Sequence, residues 1–306
     1  MKKIRISIGI PAYNEEQNIT ALLDAIAKQR PRIAVIEKVF VIDDGSTDST
    51  REKVLKFEKS GKLKGKIELI HFQKRKGKWF AINAFLKIAK SPVLILESAD
   101  NLPKNDCFDQ LARHFYNRKT GIVASRIIPV NDSRHFFGFA SQLIYLLHHE
   151  LSLQQPKFGE LIAFRNIIKR ISPTIVDEEE LAALIKKKEY DLKYEPKAIV
   201  YNKGPENLSD FISQRRRIYC GHIMLSRKTS YSPLTMNFFS ILKNLIKEIN
   251  AKNFVWIIGA AGLEAISRFL GAIDYVFDRE KHIEWKPIKS VKNLANNLKG
   301  SCIMHL

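Results

Sequence analysis

The sequence contains few cysteines: three in 306 residues, at the widely separated positions Cys107, Cys220 and Cys302, with no CxxC pair. Neither a disulfide framework nor a zinc site is therefore expected, and a reducing compartment fits. The N-terminus also lacks a signal-peptide pattern. Its apolar positions alternate and Pro11 ends the run before an apolar core could form. We expect the chain to start directly on a strand.

The chain also lacks the RNP, KH and helix-turn-helix signatures of nucleic-acid-binding proteins. Its formal charge is nevertheless +19, from 51 basic and 32 acidic residues. Such a charge indicates an anionic partner: nucleic acid, an anionic lipid surface or a phosphorylated small molecule. A solvated basic surface is the alternative. There is no internal repeat and no low-complexity linker, and 45% hydrophobic residues suffice for a sizeable core.

Apolar periodicity predicts strands alternating with helices over the first 130 residues. The strands are predicted at 4–10, 36–42, 66–72, 92–97 and 120–128, and the helices within 11–29, 46–61, 78–90 and 106–118. This alternation predicts βαβ units and an α/β fold with a mainly parallel sheet.

Four polar clusters follow the predicted strands: "PAYNEE" (11–16), "DDGSTD" (43–48), "KRKGK" (74–78) and "SAD" (98–100). Ligands bind beyond the carboxyl ends of such strands, so one crevice should gather all four clusters. The adjacent Asp43 and Asp44 could accept hydrogen bonds from a base and a ribose, bind a cation, or belong to a loop that caps the next helix. Asp100 with Glu97 suits Mg²⁺ or Mn²⁺ holding a diphosphate; an Asx turn is the alternative.

Two charged clusters lie further along the chain. "DEEE" (177–180) begins a predicted helix, where acidic side chains complement the helix dipole or one of them acts as a general base. "QRRR" (214–217) offers guanidinium forks that match phosphate oxygens, or a solvated basic helix face.

The last part of the sequence differs in its pattern of apolar residues. Residues 234–249 carry an apolar helical stripe opposite lysines, and 254–277 is about long enough to cross a bilayer, which needs ~20 residues. Glu264, Arg268 and Asp274 are costly in lipid, although Glu264 and Arg268 are spaced to pair. The largely apolar stretch 136–151 could form the floor of a site for a lipid-linked acceptor. We predict membrane association and a division into residues 1–230 and 231–306.

Taken together, the ordered motifs "PAYNEE", "DDGSTD", "GKWFAIN", "SAD", the acidic pair near 177 and "QRRRI" resemble the family 2 glycosyltransferases with the GT-A fold. The resemblance covers about residues 4–222 and includes the strand "YEPKAIV". Within the family, the chain resembles the branch that includes cellulose and hyaluronan synthases. It implies a Rossmann-like sheet flanked by helices, followed by a membrane-associated helical region in reduced form.

The resemblance also implies roles for individual residues. The implied donor-binding residues are Pro11, Tyr13, Glu15, Asp43, Asp44, Lys78, Gln214 and Arg217. Asp100 is the implied metal ligand, and Asp177 and Glu178 are both candidates for the catalytic base: residue type favours Asp177 and spacing favours Glu178. The chain departs from the family at Ser98, where the metal motif has an aspartate, and at Ile218, where the Gln-Arg motif has a tryptophan.

The implied activity is an inverting transfer of a hexose from GDP-mannose or UDP-glucose, with Mn²⁺ or Mg²⁺, to a lipid-linked glycan at the cytoplasmic face of the cell membrane. Transfer to a polyprenyl phosphate such as dolichyl phosphate is the alternative within the same fold. A nucleic-acid-binding protein or a scaffold on a degenerate transferase fold is the non-enzyme alternative, and we expect no nucleic-acid partner.

Overall fold

The computed structural model describes residues 2–277, 288, 290–292 and 294. The strands are β1 Ile4–Ala12, β2 Ala34–Asp43, β3 Ile67–His71, β4 Val93–Glu97, β5 Leu102–Pro103, β6 Thr120–Pro129, β7 Leu161–Arg165 and β8 Asp191–Asn202. The α-helices are α1 Ile19–Ala27, α2 Thr50–Lys59, α3 Lys78–Ile88, α4 Cys107–Ala112, α5 Phe136–Ser152, α6 Asp177–Lys187, α7 Leu208–Lys228, α8 Phe238–Glu248 and α9 Phe254–Phe277. Short 3₁₀ helices span Arg113–Tyr116 and Leu234–Met236.

In the part of the chain that the structure describes, the strands form one sheet in the order β3-β2-β1-β4-β7-β6-β8-β5. The pairs β1–β2, β1–β4, β2–β3 and β6–β8 are parallel. Strand β7 is antiparallel to both of its neighbours, and the two-residue β5 is antiparallel to β8. The predicted α/β fold with a mainly parallel sheet is confirmed.

Successive side chains of each strand point to opposite faces of the sheet, and helices cover both faces. Ile6, Ile8 and Ile10 of β1 belong to one core, which α1, α2 and α4 cover. The opposite face holds a second core, in which Phe40 of β2 packs with Phe85 of α3. The five strands predicted from periodicity each lie within two residues of an observed strand. Periodicity did not predict β7 or β5, and β5, with two residues, is too short for a periodic signal.

Helices α5, α7, α8 and α9 form a third apolar cluster beside the sheet, which includes Phe139, Leu143, Phe211 and Ile257. Helix α9 has the predicted bounds, and it packs against α7 so closely that a Cβ on Gly271 would lie 2.5 Å from a carbonyl oxygen of α7. Two helices can approach this closely only where one of them has no side chain at the contact.

The acidic residues of α9 face the basic face of α7. Glu264 accepts two hydrogen bonds from Arg215, at 2.7 and 2.9 Å, and Asp274 pairs with Arg216. Arg268 also donates to Glu264 at 2.8 Å, so the predicted pair between residues 264 and 268 is confirmed. These contacts turn the charges of α9 inward and leave its other face apolar.

We predict that Gly9→Ala destabilises the protein by about 1–3 kcal/mol, the range expected for overpacking a core. A Cβ at this position of β1 would lie 2.5 Å from two ring carbons of Phe85. The midpoint of urea unfolding measures the change. Gly262→Ala is the matched control, because its Cβ would meet no described atom within 4 Å. That helix position should gain about 0.5–1 kcal/mol from the better propensity of alanine. Equal midpoints for the two variants would contradict the packing of α3 on β1.

Candidate active site

One large cavity lies beyond the carboxyl ends of β1, β2 and β4, where the topology of the sheet predicts a ligand site. Its volume is about 250 Å³, and all four polar clusters contribute to its wall. Of the residues that the sequence predicts for the site, the following line the cavity: Pro11, Tyr13, Glu15, Asp44, Lys78, Asp100, Asp177, Glu178, Gln214 and Arg217.

Asp43 does not line this cavity. Its carboxylate is fully buried, accepts from the backbone N–H of Ser46 at 2.9 Å and lies 2.8 Å from Nδ1 of His71. These contacts hold the turn after β2 against the end of β3. The structure therefore gives Asp43 a position that supports the loop, and its predicted contact with the donor stays a prediction.

Asp44 lies on the cavity side of the same turn. It accepts hydrogen bonds from the backbone N–H groups of Lys76 and Gly77, at 2.9 and 2.7 Å. The two loops touch at Gly45, whose φ is +75° and whose Cβ would lie 2.7 Å from a backbone nitrogen. Only glycine adopts this conformation without strain at such a close approach. Asp44 thus ties the "DDGSTD" turn to the "KRKGK" turn.

The guanidinium of Arg75 lies 4.1 Å from the ring centroid of Tyr13, and both side chains line the cavity. Sequence analysis did not single out Arg75, although it lies within the "KRKGK" cluster. A planar cation over an aromatic ring forms a flat, positively charged surface next to Asp44. Such a surface can stack on a planar ligand group or attract an anionic one.

Four consecutive acidic side chains begin α6, and all four are buried: Asp177, Glu178, Glu179 and Glu180 are exposed by 4, 8, 1 and 3%. A buried carboxylate is costly unless a positive charge and hydrogen bonds compensate it. The positive end of the α6 dipole compensates only in part. Specific partners must therefore account for the rest.

Three of the four carboxylates each have a lysine partner from a different part of the chain. Lys78 of α3 lies 2.6 Å from Glu178, Lys157 lies 2.7 Å from Glu179, and Lys228 of α7 lies 2.8 Å from Glu180. Tyr231 also donates to Glu179 at 2.7 Å, and Ser172 donates to Glu180 at 2.9 Å. The turn of chain at 177–180 is thus fixed from several sides.

Lys78 and Glu178 shift each other's titration. Burial alone would lower the pKa of Lys78, but the charges of Glu178 and Asp177 outweigh it and raise that pKa. Burial would likewise raise the pKa of Glu178, but the charge of Lys78 and its hydrogen bond bring that pKa below its ordinary value. Both groups therefore stay charged around neutral pH, and Glu178 is a poor proton acceptor.

Asp177 differs from its three neighbours. Its Oδ1 atom has no hydrogen-bond partner among the described residues, although the side chain lines the cavity. Burial raises the pKa of Asp177 to about 7, with Glu178 adding to the shift and Lys78 and Arg217 opposing it. Arg217 of α7 is itself buried, which lowers its pKa to about 10, and it remains a cation at neutral pH. A carboxyl of this kind can accept a proton near pH 7.

Asp100 occupies another wall of the cavity, near the buried carboxyls of Glu15 and Glu160. Burial and then the charge of Asp100 raise the pKa of both glutamates to about 7, although Lys292 pairs with Glu15 and Asn101 donates to Glu160 at 3.1 Å. Glu160, whose φ is +58°, could not be predicted as a site residue from the sequence, because only the fold places it near Asp100.

This acidic wall fits a divalent cation that is shared with a ligand. Within the described ranges, no three acidic, histidine or cysteine side chains are arranged as a set of metal ligands. Mg²⁺, however, is commonly held by one or two carboxylates together with substrate phosphates, and the crowded carboxyls here have charge that a cation would balance. Asp100 is a candidate for such a ligand, because it lines the cavity and its charge acts on both glutamates.

A comparison with protein families identifies the chain. The model of "Glycosyl transferase family 2" matches residues 7–188, which is more than half of the sequence. The chain belongs to glycosyltransferase family 2. This is the family that the ordered motifs predict.

Individual relatives are more distant. A dolichyl-phosphate beta-glucosyltransferase of Trichomonas vaginalis is 28% identical over 134 residues, which is 42% of this chain and 38% of that protein. The dolichyl-phosphate beta-glucosyltransferase of Homo sapiens is 28% identical over 106 residues, 33% of this chain and 32% of that one. The matches thus span about a third of the length of these relatives.

Among solved structures, the mannosyltransferase PcManGT from Pyrobaculum calidifontis, in complex with GDP-Man and Mn²⁺, superposes with a TM-score of 0.66. The match covers 90% of this chain and 88% of that one at 19% sequence identity. At this identity the likeness shows a shared fold, and it agrees with the GT-A fold of family 2.

We predict that Glu178→Gln lowers the pKa of Asp177 below about 7. The substitution removes a neighbouring negative charge that raises this pKa, and it leaves the ammonium of Lys78 to act on Asp177 alone. A ¹³C NMR titration of the aspartate carboxyls measures the shift, with Asp177→Asn providing the assignment. Glu189→Gln, an exposed change just after α6, should leave the titration unchanged. An unaltered Asp177 titration in the first variant would contradict the described coupling.

Proposed function

We propose that the protein transfers a hexose, mannose or glucose, from a nucleoside-diphosphate sugar to a hydroxyl group of a lipid-linked glycan at the cytoplasmic face of a membrane. GDP-mannose and UDP-glucose are the donors that we favour. The fold shared with a mannosyltransferase bound to GDP-Man supports the first, and the relatives named as beta-glucosyltransferases support glucose. In this proposal residues 1–230 form the catalytic domain and 231–306 the membrane-associated region.

The observation that carries the proposal is the environment of Asp177. Its side chain lines the cavity, its Oδ1 has no partner in the described part of the chain, and its pKa of about 7 suits a general base. Glu178 is engaged by Lys78, so we assign the base to Asp177 and give Glu178 the role of positioning Lys78. A base is needed when the acceptor is a hydroxyl group, which must lose a proton as it attacks.

We assign the donor to the wall formed by the carboxyl ends of β1, β2 and β4. Tyr13 and Arg75 offer a stacked pair for the base, next to Pro11 and Asp44. Lys78, Gln214 and Arg217 lie on the side of the diphosphate, with Glu15 and Asp100 opposite. Asp43 contributes indirectly, by holding the turn that carries Asp44.

The reaction is a single inverting displacement. The acceptor oxygen attacks the anomeric carbon while its proton passes to Asp177, and the bond from that carbon to the phosphate oxygen breaks with its electron pair on the diphosphate. Arg217 and Lys78, both partly buried cations, stabilise the departing diphosphate. Asp100 would hold a divalent cation, Mn²⁺ or Mg²⁺, which when bound supplies further positive charge to the leaving group.

The outer surfaces of α8 and α9 support membrane association. Large apolar side chains on them are exposed, among them Phe239 at 78%, Phe269 at 68% and Phe277 at 78%. Among the described residues, α9 alone is long and apolar enough to cross a bilayer. Since its acidic residues pair with α7, we propose that α9 lies on the membrane surface with its apolar face in the lipid. The charge of +19 favours the anionic cytoplasmic leaflet.

A second acceptor, a polyprenyl phosphate, has its own support. Two relatives are named dolichyl-phosphate beta-glucosyltransferases. Moreover, Lys157, Arg215 and Arg268 line the cavity, and within the described residues their acidic partners are Glu179 and Glu264. One positive charge is therefore in excess among these five side chains, which would suit a phosphate. A phosphate acceptor is already ionised and needs no base.

We expect Asp177→Asn to lower the rate of glycosyl transfer by roughly 10²–10⁴-fold, the usual contribution of a general base. Transfer of radiolabelled hexose from GDP-mannose and UDP-glucose to lipid extracts measures the rate. Donor binding, followed by thermal shift, should persist because the carboxyl is not assigned to the donor. Wild-type kcat should rise as the pH increases through about 7, since the base must be deprotonated, and this rise should be absent in the variant.

Two results would contradict this assignment. Full transfer by Asp177→Asn would show that another group, or none, removes the proton. Product formed on bare polyprenyl phosphate, with a rate independent of pH around 7, would favour the second acceptor. Glu189→Gln again serves as the control, because it changes an acid outside the cavity and should alter neither rate nor pH profile.

We also expect the wild-type protein to float with vesicles that contain anionic lipid, and Phe239→Glu or Phe269→Glu to weaken this binding by roughly tenfold or more. Burial of one phenylalanine is worth about 1.5–3 kcal/mol, and the added charge opposes it further. Flotation in a density gradient measures the bound fraction. Leu55→Glu adds the same charge to an exposed apolar position of α2 and should leave binding intact. Equal losses in all three variants would point to net charge instead of an apolar membrane face.

A further inference from the structure

Helices α5 and α7 line one part of the cavity, and we call this part the inner arm. Its α5 side carries Ser141, Tyr145, His148 and Ser152. These positions are spaced by four, three and four residues, so they lie on one face of the helix. The stripe is about 16 Å long at 1.5 Å per residue. Although residues 136–151 are largely apolar in sequence, the side that faces the cavity is mostly polar.

The opposite side of the inner arm belongs to α7 and the segment after it. Arg215, Tyr219 and His222 of α7 line the arm, and Thr235 follows on the short 3₁₀ helix. Aromatic rings and a small number of polar groups together are typical of pockets that orient an organic ligand. Ile218 stands here in place of the tryptophan of the family motif, so the arm differs from a channel built on that residue.

Three buried polar atoms in the inner arm have no hydrogen-bond partner in the described part of the chain: Oγ of Ser141, Nε2 of His222 and Oγ1 of Thr235. Their residues are exposed by only 3, 4 and 4%. A buried polar group without a partner costs about 1–3 kcal/mol, so such groups are rare and need an explanation. All three residues line the cavity, and a bound ligand could supply the missing partners.

Each charged group of the arm has a partner of opposite sign, although three cations share two carboxylates. Glu264 accepts from Arg215 at 2.7 and 2.9 Å and from Arg268 at 2.8 Å, and Lys157 lies 2.7 Å from Glu179. Burial, with the neighbouring cations, holds the pKa of His148 and His222 well below the ordinary value, so both rings are neutral. The groups that remain to bind a ligand are therefore hydroxyls and neutral imidazoles.

Neutral donors and acceptors of this kind match the hydroxyl groups of a sugar. A hydroxyl both donates and accepts, so it can satisfy a serine, a threonine or an imidazole nitrogen in either role. The tyrosine rings of the arm can cover the apolar faces of a sugar ring. A phosphate, in contrast, would be best met by cations without acidic partners.

We propose that the inner arm is the acceptor subsite and binds the uncharged, hydroxyl-rich part of the acceptor, its sugar residues, whose hydroxyl groups pair with Ser141, His222 and Thr235. This inference rests on the proposed function, because the attacking hydroxyl must lie beside Asp177 at the mouth of the arm. It adds the class of group that is recognised: the sugar of the lipid-linked acceptor, in preference to its phosphate.

The test measures binding and transfer separately. Octyl glucoside, octyl mannoside and octyl N-acetylglucosaminide serve as probes, with saturation-transfer NMR for binding and radiolabelled donor for transfer. We expect at least one glycoside to bind the wild type. Thr235→Val, which is nearly isosteric, and His222→Ala should each raise the Kd and the acceptor KM about fivefold to tenfold, the effect of one lost hydrogen bond. The donor KM should not change.

His135→Ala is the matched control, since this histidine side chain is 81% exposed and does not line the cavity. Thr235→Val keeps the test decisive if His222→Ala does not fold. Binding of no glycoside, or an unchanged Kd in Thr235→Val, would overturn the inference. So would transfer to polyprenyl phosphate with no transfer to any glycoside. Loss of donor turnover with every acceptor would instead count against the proposed function, while the NMR titration would still decide whether the arm binds sugars.

Discussion

The burial of four consecutive carboxyl groups at the start of α6 is the constraint on which the site depends. Each charge taken out of water requires a compensating partner, and the helix dipole supplies only part of what is needed. Lys78, Lys157 and Lys228 supply the rest for three of the four, from α3, from the loop before β7 and from the end of α7. These ion pairs join three segments, which lie 100, 22 and 48 residues away along the chain, to one helical turn. The ion pairs that compensate these buried charges thus hold three segments around the cavity.

The same arrangement distinguishes Asp177. With a lysine at 2.6 Å, Glu178 remains ionised and cannot readily take up a proton, whereas Asp177 has an unpartnered oxygen and a pKa of about 7. Two adjacent carboxyls therefore have different chemical properties because one has a direct cationic partner. This difference supports our assignment of the base and of a hydroxyl acceptor. Arg217 adds a buried cation on the side from which the diphosphate would depart.

Helix α7 connects this site to the outer helices. Arg217 lines the cavity with Asp177. Arg215, which also lines the cavity, pairs with Glu264 of α9, and Arg216 pairs with Asp274 of α9. The pairing removes the acidic groups of α9 from its outer surface, which leaves exposed phenylalanines suited to a lipid surface. It also occupies the guanidinium of Arg215 in the inner arm, where neutral hydroxyl and imidazole groups then remain for the acceptor. Docking of α9 and recognition of the acceptor are thus linked through one helix.

Local patterns were sufficient to predict the alternation of strands and helices, the bounds of α9 and the four polar clusters, because periodicity and turn residues are encoded within a few positions. The motif order also predicted the family and enzyme class. The sequence could not distinguish Asp177 from Glu178, since both are acids at the start of one helix and only the approach of Lys78 separates them. Nor could the sequence show that Asp43 lies outside the cavity wall, that Glu160 lies near Asp100, or that His222 and Ser141 line the same cavity. Those placements follow from contacts between distant segments, whose energies depend on burial and distance and have no counterpart in local sequence.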